Sequence, residues 1–209
     1  DDLLQLKHYE FESDLLESTG LAVPVLIHGN SLLDDGGVVI GNIAFVTDMR
    51  EHKKALILAA EVQKNLLPQK APNIQGLDIS GKNISCDEIG GDYYDFLMHA
   101  GVQNDRLSVV VGDFSGHGVD SALLMTTARA FLRMRSSQPG TINNIVTDMN
   151  RHLSEDILDS GKFMTLFYLS IDVKRKCIEW IRAGHEPAWL YDPDDDIFHE
   201  LKGKGVALG

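Results

Sequence analysis

The period of apolar and polar positions changes along the chain. In residues 1–47 the apolar residues come in short runs, Val23 to Ile27 and Val38 to Val46, with Asp34-Asp35-Gly36-Gly37 between them. Two runs about a D-G turn predict a β-hairpin. A segment of about forty residues built this way cannot bury a core alone. From Asp48 the period becomes helical, through Met49, Ala55, Leu56, Ala59, Ala60, Val62 and Leu66. Asp48 and Glu51 have the spacing of a capping box, and Pro68 marks the stop. A helix over 48–67 is expected, a connector whose apolar stripe packs on a partner helix or on the following domain. Beyond it, Leu77 to Ile84 and Tyr93 to Met98 read as strands, and Leu107 to Val111 as a buried central strand. Helices are expected over 119–135 and 141–158, then strands over Phe163 to Val173, Cys177 to Ala183 and Ala188 to Tyr191. Strands, then helices, then strands again, joined by short links, predict an α+β protein with antiparallel sheets.

Composition adds limits. With 209 residues, 44% of them hydrophobic and 24% charged, a sizeable core is expected. Nineteen basic against 31 acidic side chains leave a net charge of -12, which speaks against a nucleic-acid partner and leaves divalent cations open. Cys86 and Cys177 form no C-x-x-C pair, so neither a zinc site nor a disulfide framework is expected. Both are read as small buried apolar residues, suited to a reducing, cytoplasmic setting. No apolar run approaches the roughly 18 residues of a membrane span. Asp1-Asp2-Leu3-Leu4 does not look like a signal peptide, and the chain is expected to begin part-way through a longer protein.

Two glycine-flanked aspartates carry candidate chemistry. Asp92 lies in E-I-G-G-D-Y-Y-D-F, and Asp113 in V-V-V-G-D-F-S-G-H-G. Each adjoins an expected strand. Hard cations such as magnesium and manganese take carboxylate and carbonyl oxygens, and glycine lets the backbone approach closely. The plainer alternative is that both are turn residues, where Gly and Asp are common.

These two segments, with A-A-E-V-Q-K-N-L-L-P upstream and F-M-T-L-F-Y-L-S-I-D and R-A-G-H-E-P-A-W-L-Y downstream, resemble the RsbU/SpoIIE-type bacterial serine/threonine phosphatases of the PPM class. The resemblance runs from about Ala59 to Gly209. It implies an αββα sandwich, two antiparallel sheets flanked by helices, with a binuclear Mn2+ or Mg2+ site. It makes Asp92 and Asp113 the catalytic metal ligands, joined by the Phe114 backbone carbonyl, with water rather than a protein nucleophile attacking phosphorus in line. Asp95 is either a further ligand or support, or a solvated strand-edge residue. His117 and His185 are read mainly as turn residues, and Asp194 to Asp196 as a solvated turn, since the alternating oxygens of a calcium loop are absent. The family pattern continues into a T-D-G-type block after K-G-x-x-L-G, so the final strands and ligands of the domain are expected beyond Gly209.

The segment from Val23 to Ala55 resembles the last strands and exit helix of a PAS sensor domain. The implied organisation is 1–47 PAS-like strands, 48–67 connector helix and 68–209 phosphatase domain. The implied function is hydrolysis of phosphoserine or phosphothreonine on a regulatory protein, a STAS-domain anti-anti-sigma factor, by a homodimer paired through the connector. The rival reading is a non-catalytic phosphatase-like module that binds a partner or dimerises.

Overall fold

The computed structural model describes residues 8–85, 88–98 and 106–209. They form two compact units, divided between Leu58 and Ala59.

The first unit is an antiparallel sheet of β1 (His8–Leu16), β2 (Ala22–Leu33) and β3 (Val39–Asp48), in that order. The β2–β3 link is the expected D-G turn. Asp34 Oδ1 accepts from the Gly36 and Val38 amides at 2.9 and 2.8 Å, and Gly37 takes a φ of 81°, which favours glycine. β1 extends the hairpin to three strands, with Tyr9, Phe11 and Ser13 on its half-buried side. Val23 and Val25 are buried, whereas Ile40, Ile43 and Phe45 are exposed. The sheet has too little apolar burial to form a core of its own.

Helix α1 (Arg50–Leu66) follows. Asp48 accepts from the Arg50 amide at 2.9 Å, satisfying one orphan donor of the first turn. Glu51 does not complete a capping box; its carboxylate pairs with Lys54 at 2.7 Å. No residue of α1 is buried.

The second unit is built on a four-stranded antiparallel sheet in the order β4 (Tyr93–Met98), β5 (Arg106–Phe114), β6 (Met164–Asp172), β7 (Cys177–Ala183). Helices α2 (Val119–Ser136) and α3 (Ile142–Ile157) pack on one face of it. α3 starts at a reciprocal capping box between Thr141 and Asn144. The core joins Val110 and Phe114 of the sheet to Met125 and Leu132 of α2 and Met149 and Leu153 of α3, all at most 1% exposed. Each such side chain contributes about 1.5–3 kcal/mol by leaving water. β8 (Ala188–Asp192) and β9 (Ile197–Leu201) form a separate hairpin whose Trp189 and Phe198 are exposed. The architecture is α+β with antiparallel sheets, as expected.

Some local expectations fail. Leu77 to Ile84 is not a strand; beyond an isolated Ile74–Leu77 bridge its backbone joins no ladder. Side chains hold it instead, the Tyr94 hydroxyl donating to the Gly81 carbonyl at 3.3 Å and the Asn83 amide to the Asp92 carbonyl at 3.4 Å. Cys177 is exposed, because it opens β7 directly after the β6–β7 turn. Cys86 lies outside the described residues.

Candidate active site

Strand parity decides which side chains meet. Side chains alternate between faces along a strand. On β4, Tyr93, Asp95 and Leu97 are buried under the helices; on β5, Ser108, Val110, Gly112 and Phe114 are. Val111 and Asp113 therefore point to the opposite, open face, where both are exposed. Tyr93 pairs with Gly112, so one step back along the register sets Asp92 opposite Asp113. The Asp113 pKa is raised, by burial first and then by the charge of Asp92.

The row continues across the sheet. Thr165 of β6 is the register partner of Asp113, and its hydroxyl lies 2.7 Å from Nδ1 of His185. Burial lowers the His185 pKa, while Asp113, Glu186 and Asp92 act to raise it. Asp92, Asp113, Thr165 and His185 thus form one polar row from β4 to the loop after β7.

Glycines let the loops close on this row. A Cβ on Gly91 would stand 3.0 Å from the Phe114 carbonyl oxygen and 3.1 Å from Cβ of Ser121. A side chain there would force its neighbours to give way, and the close approach places the Phe114 carbonyl beside the residue preceding Asp92. After Phe114 the chain turns through Gly116 and Gly118, at φ of 90° and 85°, and enters α2. His117 sits in this turn. Lys162 lies over Gly116 and pairs with Asp120 of the first α2 turn at 2.7 Å.

Asp95 is corrected by the structure. It is 0% exposed and faces the helices, away from Asp113. Arg133 grips its two oxygens at 2.6 and 2.6 Å, the Tyr93 hydroxyl donates to it at 2.9 Å, and the Phe96 amide at 2.8 Å. With its oxygens so engaged, Asp95 is a structural anchor and no metal ligand. Bonding to Asp95 raises the Arg133 pKa, and burial, then the Asp95 charge, pushes the Tyr93 phenol well above its ordinary value. Asp194 to Asp196 form a self-contained turn, with Asp196 accepting from the Tyr191 hydroxyl at 2.8 Å.

The residues present suit a hard divalent cation in kind. Two like-charged carboxylates at one spot, and a backbone carbonyl beside them, are the oxygen donors such ions take. Cation charge would offset the burial and the Asp92 repulsion that together raise the Asp113 pKa. Among the described residues no group of three His, Cys, Asp or Glu side chains is placed to hold a metal, so the donor set is short in number.

The fold and this row define a class. The chain is similar to the PP2C domain of SiaA from Pseudomonas aeruginosa, with a TM-score of 0.57 over 77% of this chain and 64% of that one at 22% identity, a likeness of fold. It is also similar to the RsbU and RsbW domains of a Mycobacterium tuberculosis protein, at 29% identity and a TM-score of 0.52 over 60% of this chain and 34% of that one. The chain has the fold of a PP2C-type phosphatase domain. The family model described as Stage II sporulation protein E (SpoIIE) matches residues 103–209, and the chain belongs to that family. Phosphoserine phosphatase RsbU of Bacillus subtilis is 28% identical over 160 residues, covering 77% of this chain and 46% of that protein. Phosphoserine phosphatase RsbP of the same organism is 28% identical over 160 residues, covering 75% and 38%. The chain spans less than half the length of these curated relatives.

Proposed function

We propose that the chain carries the catalytic core of a metal-dependent protein phosphatase that hydrolyses phosphoserine or phosphothreonine on a regulatory protein. The observation that carries this reading is the cross-strand pair Asp92 and Asp113 beside the Phe114 carbonyl, in a chain of the SpoIIE family whose relatives include proteins named phosphoserine phosphatase. Asp92, Asp113 and Phe114 would hold Mn2+ or Mg2+. When bound, the metal supplies charge against the phosphoryl oxygens and acidifies a water, the usual roles of such a site. Asp92 and Asp113 keep their carboxylates on the open face of the sheet, where a phosphorylated side chain has access. Thr165 fixes the His185 ring beside them. Asp95 and Arg133, on the other face, fasten β4 to α2 and so hold Asp92 in line.

The wider reading has the STAS-domain anti-anti-sigma factor as substrate and the cytoplasm as location. Residues 1–47 are proposed as the last strands of a PAS sensor, 48–67 as its connector and 68–209 as the phosphatase domain. Support comes from a β1–β3 sheet that lacks a core of its own and from a helix α1 with no buried residue, which suits pairing with its copy in a homodimer. Among the described residues no helix is long and apolar enough to cross a membrane. The test is manganese-dependent hydrolysis of p-nitrophenyl phosphate by the full-length protein and its Asp113→Asn variant. Equal turnover by both would refute the site.

A further inference from the structure

The loop that delivers Asp92 is held by a side chain from α1. The Gln63 amide group donates from Nε2 to the Gly90 carbonyl at 2.8 Å, and its Oε1 accepts from the Gly90 amide at 3.2 Å. Both polar groups of one glycine are thereby satisfied by one side chain, as a neighbouring strand would satisfy them. Both bonds are part-buried and lie within the second unit. Gly90 stands two residues before Asp92. On the far side of the loop the Phe114 amide donates to the Gly91 carbonyl at 3.4 Å, and Gly91 is wedged against Phe114 and Ser121. The residues before Asp92 are therefore clamped between α1, through Gln63, and the end of β5 with the start of α2.

We infer that Gln63 is a positioning residue for the site, setting Asp92 opposite Asp113 by fixing the Gly90 backbone. The inference rests on the reading of Asp92 and Asp113 as metal ligands. Its physical basis is the directionality of the two bonds. A side chain that bonds N–H and C=O of the same residue fixes that peptide in position and in rotation, whereas an apolar contact fixes neither. Among the described residues, α1 reaches the segment from Glu88 to Asp92 by hydrogen bonds through Gln63. Movement of α1 along or about its axis would thus reach Asp92 through this contact. Lost together, the two bonds leave a donor and an acceptor to be resolvated, and a change of roughly tenfold in the local opening equilibrium is expected.

The test uses the full-length protein with Gln63→Met, which keeps side-chain length and packing but has no hydrogen-bonding amide. Lys64→Ala, on the same helix, is the control. In the metal-free protein the Gly90 amide should exchange with solvent about tenfold faster in Gln63→Met, with amides in the β5 core unchanged. With p-nitrophenyl phosphate as probe, the manganese concentration for half-maximal rate should rise about tenfold, while kcat at saturating manganese stays within about twofold of the parent. Lys64→Ala should move neither. Gly90 exchange and manganese dependence both unchanged in Gln63→Met, with Asp113→Asn inactive, would overturn the role of Gln63 and leave the site reading standing. Full activity in Asp113→Asn would overturn both, with Gly90 exchange still reporting whether the bond exists.

Discussion

Arg133→Ala should destabilise the protein more than any single change at the exposed carboxylates, because it strands a buried one. Asp95 is 0% exposed and would keep only the Tyr93 hydroxyl and the Phe96 amide. Removing one partner of a buried ion pair costs about 3–5 kcal/mol. The Arg133 side chain is 44% exposed, so water already screens part of the pair, and the lower end of that range, about 3 kcal/mol, applies. For a unit of this size that is a fall of roughly 6–12 °C in Tm. Thermal and urea unfolding of the metal-free protein at pH 7 measure the loss. Asp95→Asn frees Arg133 to water and should cost less, about 1–2 kcal/mol, with manganese-dependent turnover retained. A deficit below about 0.5 kcal/mol in Arg133→Ala, or a folded Asp95→Asn protein that no longer responds to manganese, would refute the assignment of Asp95 as an anchor.

The remaining predictions concern the site and the connector. Asp113→Asn should stabilise the metal-free protein by a few tenths of a kcal/mol at pH 7, the gain being small because the group is mostly solvated; the raised Asp113 pKa means the gain fades as pH falls into the carboxylate range, and a loss of stability would contradict the repulsion. Residues 1–209 should bind manganese weakly, since two carboxylates and a carbonyl leave most of the roughly six positions to water, and tight stoichiometric binding by calorimetry would overturn this. If α1 pairs with its copy and residues 1–47 belong to a sensor, as proposed, Leu56→Glu and Ala59→Glu should weaken dimerisation and uncouple activity from that sensor; a monomer by light scattering at all concentrations, with regulation unchanged, would sink the pairing of α1.

How much was legible depended on whether the signal was local. α2 and α3 lie where their helical period ended, and β4 and β5 where apolar runs met glycine. Asp92 and Asp113 stood out because glycines flank them, and those glycines are needed for the close approach at Gly91 and the turn at Gly116. The fate of Asp95 was also written locally, in its parity. It stands two residues after Tyr93 and three after Asp92, so a strand over 93–98 puts it on the face away from Asp92. Thr165 and His185 gave no such hint, because their place beside Asp113 comes from the β5–β6 register and the loop after β7. Gln63 lies 27 residues from Gly90, and a helical period marks it only as one more position on α1. Leu77 to Ile84 had the apolar pattern of a strand but no ladder to join, which only the assembled sheet reveals.

The central claim is that the Asp92–Asp113 pair works as a phosphatase site on a regulatory protein. Its most direct test is release of phosphate from a serine-phosphorylated STAS-domain partner by the full-length protein in manganese, beside Asp113→Asn. The account predicts metal-dependent release by the parent and a fall of at least about a hundredfold in the variant, in line with loss of a metal's contribution to phosphoryl transfer. Dephosphorylation at the parental rate by Asp113→Asn, at saturating manganese and with the fold intact, would contradict it.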